Sequence, residues 1–191
     1  MVQDIHFEII LDLQRHGSNH VRNIATNIQR SHVDVLRKLK DLENITEYRT
    51  QGRNKIFSLT DSIEARNHLL MAELYKANMT MQRYPKLRVI FDEITRRIEA
   101  PMVLLFGSYA TGSARRESDI DILIETQDRA ARERVKRVSR RISPKIGRFD
   151  PESRLGREII REHVIITGAE RFLALSAQAQ GRGGDTADRT F

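Results

Sequence analysis

The chain contains no cysteine, which excludes disulfides, thiolate-held metals and thiol redox chemistry. It has no apolar run approaching the roughly 20 residues a membrane-spanning helix needs, so no membrane association is expected. No export leader is expected either: Met1–Gln14 carries Asp4, Glu8 and Asp12 among spaced apolar residues and reads as an amphipathic helix. Together these absences point to the cytoplasm. Positive charge, by contrast, is in excess, and a formal net charge of +7 with a pI near 10.0 favours an anionic partner. At 191 residues the chain is long enough for two small domains, each with its own core.

The expected class is α/β (α+β) with two domains. In residues 1–60, Ile5, Ile9, Ile10 and Leu13 mark a helix that stops at His16-Gly17, where glycine suits a C-terminal cap. A second helix is expected from Asn19 to Gln29. Ser31 then caps a third, with Val35, Leu36, Leu39 and Leu42 facing inward. The period changes to that of strands at Ile45–Arg49 and Lys55–Leu59, joined by the polar tip Thr50–Asn54. Residues 61–100 read as a helical linker. Asp61 or Ser62 caps its first helix, Pro85 interrupts it, and Lys86–Glu99 forms a second helix with Leu87, Ile90, Phe91, Ile94 and Ile98 on one side. The stripe through Ile63, Leu69, Leu70, Leu74 and Ala77, with Met71, Met79 and Met81 nearby, is costly to leave wet. It is expected to pack on the other domain or in a homodimer seam.

The richest stretch is Leu104-Leu105-Phe106-Gly107-Ser108-Tyr109-Ala110-Thr111-Gly112, followed by Glu117-Ser118-Asp119-Ile120-Asp121-Ile122-Leu123-Ile124. It reads as two strands joined by a turn and a short helix. The Gly-Ser lies where a helix begins, and free backbone N–H groups there suit a phosphate. On the second strand Asp119 and Asp121 share a face opposite Ile120, Ile122 and Ile124. Mg²⁺ is commonly held by one or two carboxylates together with substrate phosphates, so the pairing suggests a nucleoside triphosphate site.

The pattern Gly-Ser, ten residues, Asp-x-Asp, with Gly-Ser-x-Ala-x-Gly at its start, resembles the minimal nucleotidyltransferases of the DNA polymerase beta superfamily. The resemblance implies a mixed-sheet nucleotidyltransferase domain over residues 101–177. It implies Asp119 and Asp121 as catalytic metal ligands, Gly107 and Ser108 as nucleotide-binding residues, Mg²⁺ as cofactor and an NTP, most simply ATP, as substrate or ligand. Relatives are often paired with a helical HEPN protein, and some act as antitoxins that adenylylate it, so an antitoxin-like role with such a partner is implied as well. Separately, three helices followed by a hairpin resemble the winged helix-turn-helix domains of prokaryotic transcription regulators. That resemblance implies double-stranded DNA as a partner, contacted by Arg37 and Lys38 of the third helix and by Arg53 and Lys55 of the wing.

One expected element is missing. The family places a third carboxylate on the strand after the next helix, yet Pro144-Lys145-Ile146-Gly147-Arg148-Phe149 has no acid. Alignment on the following Asp-Pro-Glu puts Gly147 at that position, and Asp150 before Pro151 reads as a helix N-cap. The chain is therefore expected either to transfer NMP to a hydroxyl or to regulate DNA with a catalytically degenerate domain. Asp128–Ile142 is expected to be a basic, solvated helix, since no aromatic residue is interleaved for base stacking. The tail, residues 178–191, lacks a core-forming pattern and is expected to be disordered.

Overall fold

The computed structural model describes residues 4–184. The chain divides into two compact units, Met1–Tyr75 and Lys76–Phe191.

In the first unit, α1 (Ile5–His16) starts where the Asp4 side chain accepts a hydrogen bond from His6 N–H, and it ends at Gly17. β1 (Asn19–His20), α2 (Val21–Asn27), α3 (His32–Asp41), β2 (Thr46–Gln51) and β3 (Asn54–Leu59) follow. The strands make an antiparallel sheet in the order β1-β3-β2. Ile9, Ile10, Leu13, Ile24, Val35, Leu39 and Ile45 are buried in this unit. Asp12 is buried too, and its carboxylate accepts from Asn19 Nδ2 at 3.0 Å and Asn27 Nδ2 at 2.8 Å. These bonds tie α1 to β1 and α2, since an unpaired buried carboxylate is far costlier than a bonded one.

Three expectations change here. The second helix begins at Val21, because Asn19 and His20 pair with Phe57 and Ile56 as a strand. Leu36 is 41% exposed and leaves the core to Val35, Leu39 and Leu42. The hairpin tip is only Gly52-Arg53, since Gln51 already pairs with Asn54.

α4 (Ile63–Arg83) begins at Ser62, whose hydroxyl accepts from Ala65 N–H at 3.1 Å. The division between units falls inside this helix, not at residues 60 and 100. Its early part belongs to the first unit, where Tyr75 accepts from Asp4 N–H at 3.0 Å and stacks obliquely on Phe7. On α4 the residues Ala65, Leu69, Ala72 and Ala77 are buried, while Ile63, Met71 and Leu74 are exposed.

The second unit continues with α5 (Lys86–Arg97), β4 (Met102–Phe106), α6 (Gly107–Ala110), β5 (Ile120–Glu125), α7 (Ala131–Val138), β6 (Ile142–Ile146), α8 (Arg154–Arg161), β7 (Val164–Thr167) and α9 (Ala169–Gly184). The sheet is mixed, in the order β6-β5-β4-β7, with β5 and β6 parallel and the other pairs antiparallel. Leu87, Phe91, Ile94 and Ile98 share one buried cluster with Val103, Leu105, Ile120, Ile122, Ile124 and Val135. The second half of the expected linker is therefore part of this core. Alternate residues of β5 turn the other way, so Asp121, Leu123 and Glu125 lie on the opposite face. There Arg171 of α9 forks onto Glu125, donating from Nε at 2.5 Å and from Nη2 at 3.0 Å.

The basic helix is shorter than its charge run: Ser139 is extended and Ile142 opens β6. β6 tolerates Pro144 because it is an edge strand, where a missing N–H need not break the ladder. Asp150 is not the cap of α8; Ser153 is, accepting from Gly156 N–H at 2.9 Å. Asp150 instead accepts from Glu152 N–H in the preceding turn. At the end of the chain, α9 extends through Gly184 where disorder was expected from Gln178, and the rest of that tail, 185–191, lies outside the described residues.

Candidate active site

β4 is apolar and buried at all five positions, so it is held rigidly in the sheet and delivers Gly107 to a fixed place. Its last residue, Phe106, pairs with Asp121 on β5. Gly107 has φ of +67°, and a Cβ there would sit 2.5 Å from Asp121 Oδ2 and 3.3 Å from Cγ. The Asp121 carboxylate therefore lies directly over the bare Cα of Gly107. Two independent constraints, the left-handed backbone and the lack of space, both require glycine.

After α6 the chain turns back through Thr111, whose hydroxyl donates to Ser108 C=O, and Ser113, whose N–H donates to the same oxygen at 2.9 Å. Gly112 closes the turn with φ of +73° and lies against the Arg83 guanidinium. Asp119 is exposed at the entrance to β5. Its loop is held by Arg141, which donates through Nη2 to Ser118 C=O at 2.8 Å and to Arg116 C=O. Arg141 C=O in turn accepts from Ile120 N–H at 2.8 Å. Arg141 thus acts as a positioning residue for the loop that carries Asp119, a role hidden in the sequence among the other arginines of that run.

Burial pushes the Asp121 carboxyl above the ordinary aspartate range, against a hydrogen bond from Ser143, and the charges of Asp119 and Glu158 add to the rise while Lys145 opposes it. A cation at this point would reverse the balance. Asp119 and Asp121 are two hard oxygen ligands of the kind Mg²⁺ shares with substrate phosphates, so they suit one ion that arrives with a triphosphate. Among the described residues no group of three or more Asp, Glu, His or Cys side chains could hold a metal ion.

The register explains the shortage. Asp121 lies opposite Ser143 on β6, and Lys145 follows two residues on. Gly147, where the carboxylate was expected, lies four residues past Ser143 and donates its N–H to Ile124 C=O. The residue beside Asp121 on β6 is therefore a serine, and Gly147 lies just past the end of that strand.

A cleft of about 400 Å³ borders Gly107 and Thr111, with Arg154, Arg157, Glu158, Arg161 and Glu162 as its other lining residues. None of the α8 residues was singled out from the sequence. The signal was present in Arg154, Arg157 and Arg161, which recur at one-face helical spacing.

In the first unit, the four basic residues assigned to DNA fall in two groups. Arg37 and Lys38 are engaged in exposed intrahelical ion pairs, with Asp34 at 2.8 Å and Asp41 at 3.2 Å. Arg53 and Lys55, on the hairpin, line a cleft of about 340 Å³ with Arg22, His32 and Leu36. Lys55 also sits 3.9 Å over the Tyr48 ring.

Residues 87–170 match the family described as "Nucleotidyltransferase domain". The match spans α5 to the start of α9 and so includes the site just described. No curated protein and no solved structure matches the chain significantly. At a general level the chain is thus similar to NTP-using transferases. No helix among the described residues is long and apolar enough to cross a membrane.

Proposed function

We propose that the second unit binds Mg-NTP, most simply Mg-ATP, and transfers NMP to a hydroxyl on a protein or nucleic-acid acceptor. The observation that carries this reading is the Asp121 carboxylate seated on the bare Cα of Gly107, which itself lines the arginine-rich cleft. Asp119 and Asp121 hold the metal. Gly107 and Ser108 present backbone to the terminal phosphates, and a side chain at Gly107 would push Asp121 aside. The bound ion supplies charge neutralisation at the phosphates. The acceptor oxygen forms a bond to the α-phosphorus as the bond to pyrophosphate breaks, and the hydroxyl proton passes to solvent. Ser143 and Lys145, not a carboxylate, stand beside Asp121 on β6, so the rate rests chiefly on positioning and electrostatics.

The test is label from α-labelled ATP incorporated into protein or RNA, together with the Mg-ATP-dependent rise in melting temperature. Asp119→Asn with Asp121→Asn should abolish both while the apo protein stays folded. An unchanged nucleotide shift in that variant would refute the assignment.

The same serine and lysine favour a second reading, in which the domain binds nucleotide without turnover and the chain is a cytoplasmic, antitoxin-like transcription regulator, with a HEPN-type protein as a candidate partner. For either reading we propose that the first unit is a winged helix-turn-helix that binds double-stranded DNA. Support comes from its element order and from Arg53 and Lys55 on the hairpin beside α3. A homodimer through α4 would cover the exposed Ile63, Met71 and Leu74. Duplex binding that weakens as salt rises, and weakens further in Arg53→Ala with Lys55→Ala, is the expected result. Binding insensitive to both would leave this unit without a DNA role.

A further inference from the structure

α8 buries Gly156 and Ile159 and turns Arg154, Arg157, Glu158 and Arg161 outward. Positions i, i+3, i+4 and i+7 form one stripe, which extends about 10 Å along the axis at 1.5 Å per residue. This stripe lines the cleft that Gly107 and Thr111 also line. Arg157 is anchored by donating to Glu152 C=O. Arg154 and Arg161 make no ion pair with protein among the described residues. Three guanidiniums therefore converge on a cleft lined by only two carboxylates, and that surplus of charge is what a polyanion would neutralise.

We propose that Arg154, Arg157 and Arg161 form a polyphosphate clamp that holds the β- and γ-phosphates of the bound nucleotide, and the pyrophosphate once it leaves. The inference rests on the nucleotide reading above for the direction in which the triphosphate lies. The charge balance gives it a physical reason. Asp119 and Asp121 would be matched by the one cation that arrives with the nucleotide, and Glu158 and Glu162 leave one net positive charge among the three arginines of the cleft, so α8 adds to the compensation of the triphosphate. A short polyphosphate fits better than a nucleic-acid strand. The stripe covers a stretch of only a few phosphates, and none of the residues lining the cleft is aromatic, so no base can stack there. The cleft also lies within the size range of small-ligand sites, about 300–1,000 Å³.

The experiment is calorimetric titration of the full chain with inorganic tripolyphosphate in EDTA, so that Asp119 and Asp121 make no contribution through metal. Wild type should bind. Arg154→Ala with Arg161→Ala should lose at least tenfold in affinity, and Arg154→Lys with Arg161→Lys should recover part of it, because charge is kept while the bidentate fork is lost. Asp119→Asn with Asp121→Asn should bind equally well or better. The arginines are exposed, so thermal melts should show each variant folded. Equal tripolyphosphate affinity in wild type and the alanine variant would overturn the clamp. So would an alanine variant that loses single-stranded RNA binding while keeping tripolyphosphate. Tripolyphosphate binding that depends on the arginines, in a protein that shows no Mg-ATP shift through Asp119 and Asp121, would sustain the clamp and sink the transferase reading.

Discussion

Replacing Gly107 by alanine separates the structural from the functional demand on the candidate site. A left-handed backbone costs an L-residue about 1–2 kcal/mol. The new Cβ would also lie 2.5 Å from Asp121 Oδ2. That oxygen is the free end of a side chain, so the clash is relieved by rotating the carboxylate away, which costs about 0.5–1.5 kcal/mol if it leaves its rotamer well. The sum, roughly 2–3 kcal/mol, corresponds to a fall of about 5–15 °C in the melting temperature of a domain this size. The functional cost is larger, because the displaced carboxylate is a metal ligand. At a hundred times its Kd, a ligand stabilises the native state by about 2.7 kcal/mol, and that increment should vanish. Differential scanning calorimetry with and without Mg-ATP reads both effects. Gly112→Ala is the internal control. Its φ is +73° and its Cβ would meet Nη1, the far end of the Arg83 side chain, at 2.6 Å, so the stability loss should be similar while the Mg-ATP increment is kept. A Gly107→Ala protein that melts lower yet retains the full increment would refute the idea that Asp121 must sit on the bare Cα.

Two further predictions follow from β5 and its neighbour. Ser143→Asp places a carboxylate opposite Asp121 and should lower apo stability through like-charge repulsion, with Mg²⁺ or Mn²⁺ restoring it and increasing transfer; Gly147→Asp should lose stability through its left-handed backbone, φ +144°, with no cation-dependent recovery and no gain in transfer. A cation-dependent gain in Gly147→Asp alone would show that the parallel register is wrong. The two acids of β5 should titrate with opposite signs. Asp121 is raised by burial, so its ionised form costs stability above its folded pKa; Asp121→Asn should stabilise the metal-free protein at neutral pH, and that gain should disappear below about pH 4, where the unfolded carboxyl is also protonated. Glu125 is lowered chiefly by the Arg171 hydrogen bond, so its contribution is present above the unfolded glutamate pKa near 4.3 and lost as pH falls through the folded value. Glu125→Gln should therefore destabilise at neutral pH and converge on wild type in acid. Thermal melts from pH 3 to 8 decide both, and parallel curves for either variant would contradict the assignment.

Much of this protein is written in contacts between residues a few positions apart. Asp4, Gly17, Ser31 and Ser62 punctuate helices through bonds to their near neighbours, so their roles are legible in the chain. The apolar run of β4 and the alternation of β5 likewise point to Gly107 and Asp121 at one end of a sheet. Tertiary structure alone decided what lies beside them. A parallel neighbour is joined through a crossover, and its register is set by the whole sheet packing on α5 and α7; that is why Ser143, and not Gly147, came to face Asp121. The same long-range pairing shortened the basic helix at Ser139 and made Asn19 and His20 a strand. It also brought α8 beside Gly107 and Thr111, so that three arginines far from the motif in sequence line the same cleft. Caps and periodicity are local energies and can be read residue by residue, whereas register and juxtaposition depend on distant residues sharing one core.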